Sequence, residues 1–294
     1  MVTVEGNAKI NLTLDILGTR PDGFHEVSMI MQSIGLRDTA TLERADEGIS
    51  LQVETSGLHG GDELPADRRN LAWRAAELMQ KEYGLPGGVS IHLLKRIPIA
   101  AGLAGGSADA AAVLRGMNEL YQLGLGEDEL CRNGAKLGSD IPFCILGGTM
   151  LATGRGEALH RLPDMPEIPV VLAKPRIAVS TAWAYRRYDE IGSPVHPDND
   201  AMQKEIKRGD WKAVAKFLCN ALESVTIKEY EVIEEYEQLM LEHGAFASMM
   251  SGSGPTVFGL AETEECAERI AVFLHRFTDA EVFVTRTEGK TQQR

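Results

Sequence analysis

The chain has 294 residues, 44% of them hydrophobic and 25% charged. That balance excludes disordered, fibrous and repeat-built classes and leaves room for two domains. A formal net charge of −13 repels a phosphate backbone and so argues against nucleic acid as a partner.

The four cysteines, Cys131, Cys144, Cys219 and Cys266, are scattered and form no CxxC pair. They suggest neither zinc nor a redox motif and fit a reducing cytosol. The first residues lack the basic start and apolar core of a signal peptide, and no apolar run approaches the roughly 18 residues of a membrane span. The expectation is a soluble, cytoplasmic protein with no membrane partner, monomer and homodimer being equally open.

Ala8, Ile10, Leu12, Leu14 and Ile16 alternate with Lys9, Asn11, Thr13 and Asp15. This spacing predicts a half-buried strand with Lys9 and Asn11 side by side on its polar face. Pro21-Asp22-Gly23 reads as a turn, followed by Phe24, His25 and an apolar stretch over 27–34. Leu51 and Val53 mark another strand, and a glycine-rich loop comes next at 56–61. Asn70 caps a predicted helix in which Leu71, Ala75, Leu78 and Glu82 share a side, stopped by Gly84. Val89, Ile91 and Leu93 give a period-2 strand that leads through Lys95 to a glycine-rich segment. A helix face of Ala110, Val113, Leu114, Met117 and Tyr121 succeeds it, then a helix over 127–137 ending at Gly138.

Ser139-Asp140-Ile141-Pro142 opens the next segment, with a strand around Met150. The proline-rich stretch 163–169 sets a domain boundary, giving domains 1–162 and 163–294. Beyond it the pattern predicts a buried strand at 168–173, helices at 211–220 and 229–243, and a strand, tight loop and strand over 249–260. A helix from Thr263 to about Phe277 and a strand at 281–285 complete the chain. Strands and helices mix without a regular βαβ rhythm, which makes the fold class α+β.

The segment Pro98-Ile99-Ala100-Ala101-Gly102-Leu103-Ala104-Gly105-Gly106-Ser107-Ala108 carries the clearest chemistry. Glycines let backbone approach a ligand, and the start of the next helix offers unpaired N–H groups and partial positive charge. Together they suit an anion such as a phosphate. An ordinary glycine loop capped by Ser107 fits the same residues. Two other phosphate loops do not: there is no GK[ST] ending, and Gly102, Gly105 and Gly106 are not spaced as GxGxxG.

This segment resembles the second motif of the GHMP kinases, a superfamily that includes galactokinase and homoserine, mevalonate and phosphomevalonate kinases. Residues 8–12 resemble its first motif and 248–256 its third. With Arg20-Pro21-Asp22-Gly23-Phe24-His25 and Gly138-Ser139-Asp140-Ile141-Pro142, five ordered motifs run through most of the chain. They are most similar to the branch whose alcohol substrate is a cytidine diphosphate-linked methylerythritol. One departure is Ala108, where the family commonly has a second serine. The stretch 175–199 matches less clearly.

The resemblance implies an N-terminal phosphate-loop domain, a ferredoxin-like C-terminal domain, an active site between them, and ATP with Mg²⁺ as cosubstrate. It assigns Asp140 as base and Lys9 as the cation for the acceptor hydroxyl and γ-phosphate. Asn11 becomes a substrate contact, and Phe24 and His25 recognise cytosine. Asn70, Lys95 and residues 98–108 fall near the nucleotide; the metal ligands stay unassigned. The bland alternatives are a turn cap for Asp140, a solvated lysine for Lys9 and for Lys95, a helix cap for Asn70, a loop anchor and surface histidine for Phe24 and His25, and a plain hairpin turn at 251–254. A homoserine- or mevalonate-type kinase, or a non-catalytic nucleotide or metabolite sensor, shares the fold these motifs imply.

Overall fold

The computed structural model describes residues 1–55, 57–58, 64–192 and 195–290. Of the glycine-rich loop at 56–61, only residues 57 and 58 are among them. Contacts divide the chain into two compact units. The first comprises 1–8, 36–99 and 104–146, and the second 9–35, 100–103 and 147–294. Two long strands, β1 (Val2–Thr19) and β2 (His25–Ala45), contribute residues to both.

In the first unit, β3 (Ile49–Thr55) pairs parallel with β4 (Gly88–Lys95), and β4 pairs antiparallel with residues 39–45 of β2. The period-2 pattern of β4 is realised: Val89, Ile91 and Leu93 are buried and His92 is exposed. Helix α1 (Leu71–Tyr83) begins at Asn70, whose side chain accepts from the Ala72 N–H, and ends at Gly84 in the left-handed region. Its buried face is Ala72, Ala75, Ala76 and Met79, not the side containing Leu71 and Leu78. Three alanines there let α1 lie close against α2 (Gly105–Leu120), whose buried face is itself alanine-rich. Helix α3 (Glu127–Ala135) stops short of the predicted 137, and α4 (Ile141–Leu146) comes directly after Asp140.

Packing at the start of α2 leaves no room for a side chain on β1. A Cβ on Gly6 would lie 2.3 Å from the Ala108 carbonyl oxygen. Ala108 is fully buried, and its N–H is spent on the Ala104 carbonyl at 2.9 Å. A hydroxyl at this position, which the resemblance leads one to look for, would be buried with the side chain.

In the second unit, residues 29–32 of β2 pair with β5 (Thr149–Thr153), which pairs with β6 (Ala158–Arg161). The remaining strands are β7 (Pro169–Lys174), β8 (Cys219–Asn220), β9 (Ala247–Met250), β10 (Val257–Leu260) and β11 (Glu281–Arg286). The helices are α5 (Thr181–Ile191), α6 (Asn199–Arg208), α7 (Trp211–Ala215), α8 (Glu223–Glu229), α9 (Val232–Glu242) and α10 (Glu264–Phe277). Strands β11-β7-β10-β9 form an antiparallel sheet in that order. Helix α9 packs on β9 and β10, and α10 packs on β7 and β11. Numbered within this sheet, the order is 4-1-3-2 with a helix after the first and third strands, the split βαβ arrangement of the ferredoxin-like fold.

Three more predicted elements differ. The polar face of β1 is not solvated: Lys9, Asn11, Thr13 and Asp15 are all buried, so the strand is covered on both sides. The helix predicted over 211–220 ends at Ala215, because residues 219–220 pair with β1 at Thr13 and Leu14 and the Ala221 N–H reaches the Leu14 carbonyl at 2.8 Å. The helix predicted from 229 begins at Val232, Glu229 being the end of α8. Helix α5 lies within the stretch that the motifs matched less clearly, and α6 begins at its end.

Replacing Gly6 with alanine is expected to cost about 1–3 kcal/mol, the range for forcing extra atoms into a packed core. Equilibrium urea unfolding measures it, with the midpoint lowered and the slope unchanged.

Candidate active site

The buried polar face of β1 meets the glycine loop inside the second unit. Lys9 is 4% exposed. Its ammonium donates to Asn11 Oδ1 at 2.6 Å and to the Gly102 carbonyl at 2.8 Å. The Lys9 backbone N–H donates to the Leu103 carbonyl at 3.1 Å. Strand and loop are therefore joined by main chain and side chain together. An ammonium in such a place is costly unless its protons are satisfied, which rules out a solvated lysine. Asn11 turns its amide N–H toward the Met29 sulfur at 3.2 Å.

The turn at 251–254 closes on the same carbonyl. Ser251 Oγ donates to the Gly102 oxygen at 3.1 Å. Gly102 has φ +73°, and a Cβ there would lie 2.2 Å from the Ser251 carbonyl oxygen. Only glycine tolerates both the backbone conformation and the approach. The turn joins β9 to β10, as a hairpin turn would, and it also grips the loop. Its far end is tied to α5, where Thr181 Oγ1 and Ser253 Oγ are 3.0 Å apart.

Behind the turn stands a second layer of polar groups. Asn220 Nδ2 donates to the carbonyls of Met250 (3.0 Å) and Gly252 (2.8 Å), while its Oδ1 accepts from the Leu222 N–H at 3.0 Å. Glu223 accepts from the Met250 N–H at 2.8 Å. The Glu223 and Glu237 carboxyls share a hydrogen bond. Burial, and then the charge of Glu223, push Glu237 up to about 9. Burial also raises Glu223, while the N–H of Met250 and the proton from Glu237 pull it back. The buried pair therefore keeps a proton that free carboxyls would release.

Along the loop, Ala100, Gly102 and Ala104 all have positive φ, at +50°, +73° and +58°. Two of the three carry a Cβ, a backbone cost of about 1 kcal/mol or more each. Helix α2 starts at Gly105 with Ala104 as N-cap and no side-chain cap. Ser107 lies inside the first turn and does not cap it.

In the first unit, Lys95 is buried beneath the start of α2, its ammonium 3.4 Å from where a Gly105 Cβ would be. It pairs with Asp38 and, at 2.6 Å, with Asp109. Asp38 Oδ1 also accepts from the Arg96 and Ile97 N–H groups, at 2.5 and 2.9 Å. Burial works to lower the Lys95 pKa, but the two carboxylates outweigh it and the net direction is up. Burial drives Asp109 well above the carboxylate range against the pull of Lys95, and among the described residues its Oδ1 has no hydrogen-bond partner. Lys95 is therefore not a solvated charge; its ammonium is spent inside the protein. Asn70 is a helix cap with both ends of its amide used, Nδ2 donating to the Pro65 carbonyl and Oδ1 accepting from Ala72. Asp140 is half-buried, and among the described residues its carboxylate makes no hydrogen bond, so it does not serve as a cap.

Phe24 is 53% exposed, with the Arg155 guanidinium 5.0 Å from its ring centre. His25 Nε2 lies 2.8 Å from Asp189 Oδ1, and its ring is 4.7 Å from that of Tyr185. Tyr185 and Asp189 are one turn apart on α5 and face the histidine together. They went unread in the sequence, although an i, i+4 pair between Ser180 and Gly192 was a legible signal.

The fold and this site define a GHMP kinase. The model of the GHMP kinases N terminal domain matches residues 70–148, and that of the GHMP kinases C terminal matches 202–279. The chain is 47% identical over 289 residues to the 4-diphosphocytidyl-2-C-methyl-D-erythritol kinase of Geobacillus kaustophilus (strain HTA426), covering 98% of both chains. It is 50% identical to the kinase of that name from Synechococcus sp. (strain JA-2-3B'a(2-13)), covering 97% of this chain and 93% of the other. Among solved structures, a 4-(cytidine 5'-diphospho)-2C-methyl-D-erythritol kinase is 33% identical with a TM-score of 0.80, over 98% of this chain and 100% of that one. A mevalonate kinase of L. major (16% identical, TM-score 0.77, 98% of this chain and 96% of that one) shares the fold. The chain belongs to the 4-diphosphocytidyl-2-C-methyl-D-erythritol kinase family.

The shared proton has a measurable consequence. Folded chains keep it on this pair up to about pH 9, whereas unfolded chains release it in the ordinary glutamate range. Between those limits the folded state binds more protons, so this contribution to stability is complete at low pH and is lost as pH rises. Glu237→Gln keeps a donor and removes the titration. Its melting temperature should fall less than that of the wild type between pH 6 and 9, as read by scanning fluorimetry.

Proposed function

We propose that this chain transfers the γ-phosphoryl group of ATP to the 2-hydroxyl of 4-diphosphocytidyl-2-C-methyl-D-erythritol, in the cytoplasm, as a step of non-mevalonate isoprenoid precursor synthesis. The observation that carries the reading is the buried Lys9 ammonium anchored on the carbonyl of Gly102. A desolvated cation fixed on a phosphate loop has no structural use that a neutral side chain would not serve at lower cost. The model matches at 70–148 and 202–279 fall on either side of residue 162, which supports domains 1–162 and 163–294.

Phosphoryl transfer asks for positioning and charge stabilisation more than covalent work. The substrate oxygen bonds to the γ-phosphorus, the bond to the bridging oxygen breaks, ADP leaves, and the hydroxyl proton passes to the Asp140 carboxylate. Lys9 offsets charge on the transferred group, and Asn11 beside it orients the hydroxyl. The uncapped first turn of α2 offers N–H groups at 105–107 to phosphate oxygens, with Ser107 adding a hydroxyl. ATP enters as its Mg²⁺ complex.

Asn70 and Lys95 serve the nucleotide through backbone, one by capping α1 and the other from beneath Gly105. Phe24, His25 and Tyr185 take the cytosine by stacking and hydrogen bonding. That aromatic group favours a nucleobase-bearing alcohol over homoserine or mevalonate, and Lys9 with Asp140 favours an enzyme over a sensor.

Purified protein with ATP, Mg²⁺ and the cytidyl alcohol is expected to release ADP in a coupled assay, with none released on homoserine or mevalonate. Asp140→Asn should lower kcat by about 10²–10⁴-fold, the range for a general base, while nucleotide affinity by calorimetry stays unchanged. No ADP with any of the three alcohols sinks the enzyme reading.

A further inference from the structure

Asn220 touches none of the groups assigned to phosphoryl transfer, yet its side chain is one of the most heavily used in the second unit. It is buried. An asparagine amide offers two N–H donors and a carbonyl acceptor. Both donors are spent on the Met250 and Gly252 carbonyls, and the acceptor is spent on the Leu222 N–H. Three residues on, Glu223 accepts from the N–H of the same Met250. Both polar groups of the Met250 backbone are thus held by side chains from β8 and the start of α8. Directly after Met250 comes the turn whose Ser251 hydroxyl grips the Gly102 oxygen, and whose Gly252 would put a Cβ 3.2 Å from the Lys9 ammonium.

We infer that Asn220 is a positioning residue for phosphoryl transfer: it sets the 250–252 backbone, which in turn fixes the Gly102 carbonyl against the Lys9 ammonium. The inference rests on the reading of Lys9 and the glycine loop as phosphate-handling groups. The side chain is suited to the task by its donor count. Aspartate has the same shape but would set oxygen against oxygen, and alanine would leave two buried carbonyls unpaired. The strand pairing of residues 219–220 with β1 sets Asn220 beside Leu14 of the strand that carries Lys9. Brace and cation therefore share one rigid support, and small displacements of reacting groups are enough to cost a large factor in rate.

The test is a cycle of four proteins: wild type, Asn220→Ala, Ser251→Ala and the double variant. Each is assayed for kcat and KM on the cytidyl alcohol at a temperature well below its melting point. Asn220→Ala is expected to lower kcat by about tenfold or more with KM nearly unchanged. Because both residues act through Gly102, the double variant should be no worse than the poorer single variant to within about twofold. A folded Asn220→Ala with wild-type kcat overturns the inference, and so do losses that multiply in the double variant. If Asn220→Ala is not recovered folded, Asn220→Ser, which keeps one donor, is put through the same cycle. Should neither fold, Asn220 serves the fold as a whole and the inference fails. Absence of phosphoryl transfer in the wild type instead overturns the proposed function, so the two failures are told apart.

Discussion

The contact between the Lys9 ammonium and the Gly102 carbonyl sets the terms for everything around it. Removing a cation from water costs several kcal/mol even after relaxation, and here Asn11 Oδ1 and the loop carbonyl, both neutral oxygens, accept from it. That demand explains why the polar residues of β1 lie inside, why Asn11 sits two residues from Lys9, and why position 102 must lack a side chain. It also explains why a turn more than a hundred residues away, at 251–254, ends on the same oxygen.

A second buried lysine solves the same problem differently. Lys95 faces two carboxylates, and one of them, Asp38, also holds the N–H groups of Arg96 and Ile97 as the chain enters the loop. Lys95 meets two carboxylates, whereas Asn11 and Gly102 offer Lys9 neutral oxygens. The first arrangement ties the chain to a buried acid pair, and the second ties a strand to a loop.

Local patterns carried much of this. Period-2 alternation located β1 and β4, Asn70 and Gly84 bounded α1, and Thr263 opened α10, because strands, caps and stops are set by neighbouring residues. The family resemblance implied the ferredoxin-like arrangement of the C-terminal half, and the sheet order β11-β7-β10-β9 agrees with it. What escaped depends on partners distant in sequence. Alternation cannot say whether a polar face meets water or protein, so β1 read as half-buried. Asn220 read as the end of a helix because its strand partner, Leu14, lies about two hundred positions away. For Lys95 a solvated charge stayed open beside a place near the nucleotide, because its counter-charges come from residues 38 and 109. Asp109 was the exception: an acid on an otherwise apolar helix face is a signal visible in the sequence.

The peptide unit joining Gly102 to Leu103 has its oxygen occupied on both lone pairs, by Lys9 and by Ser251. In a trans peptide the N–H points opposite to the C=O. With the oxygen held inward, the hydrogen is directed away from the lysine. The segment is electrically one-sided: its acceptor is already consumed, and what it has left to offer is a donor. On the proposed function an anion would meet a donor there and a cation would find the acceptor already taken, a discrimination by sign built into the chain's course before any ligand arrives.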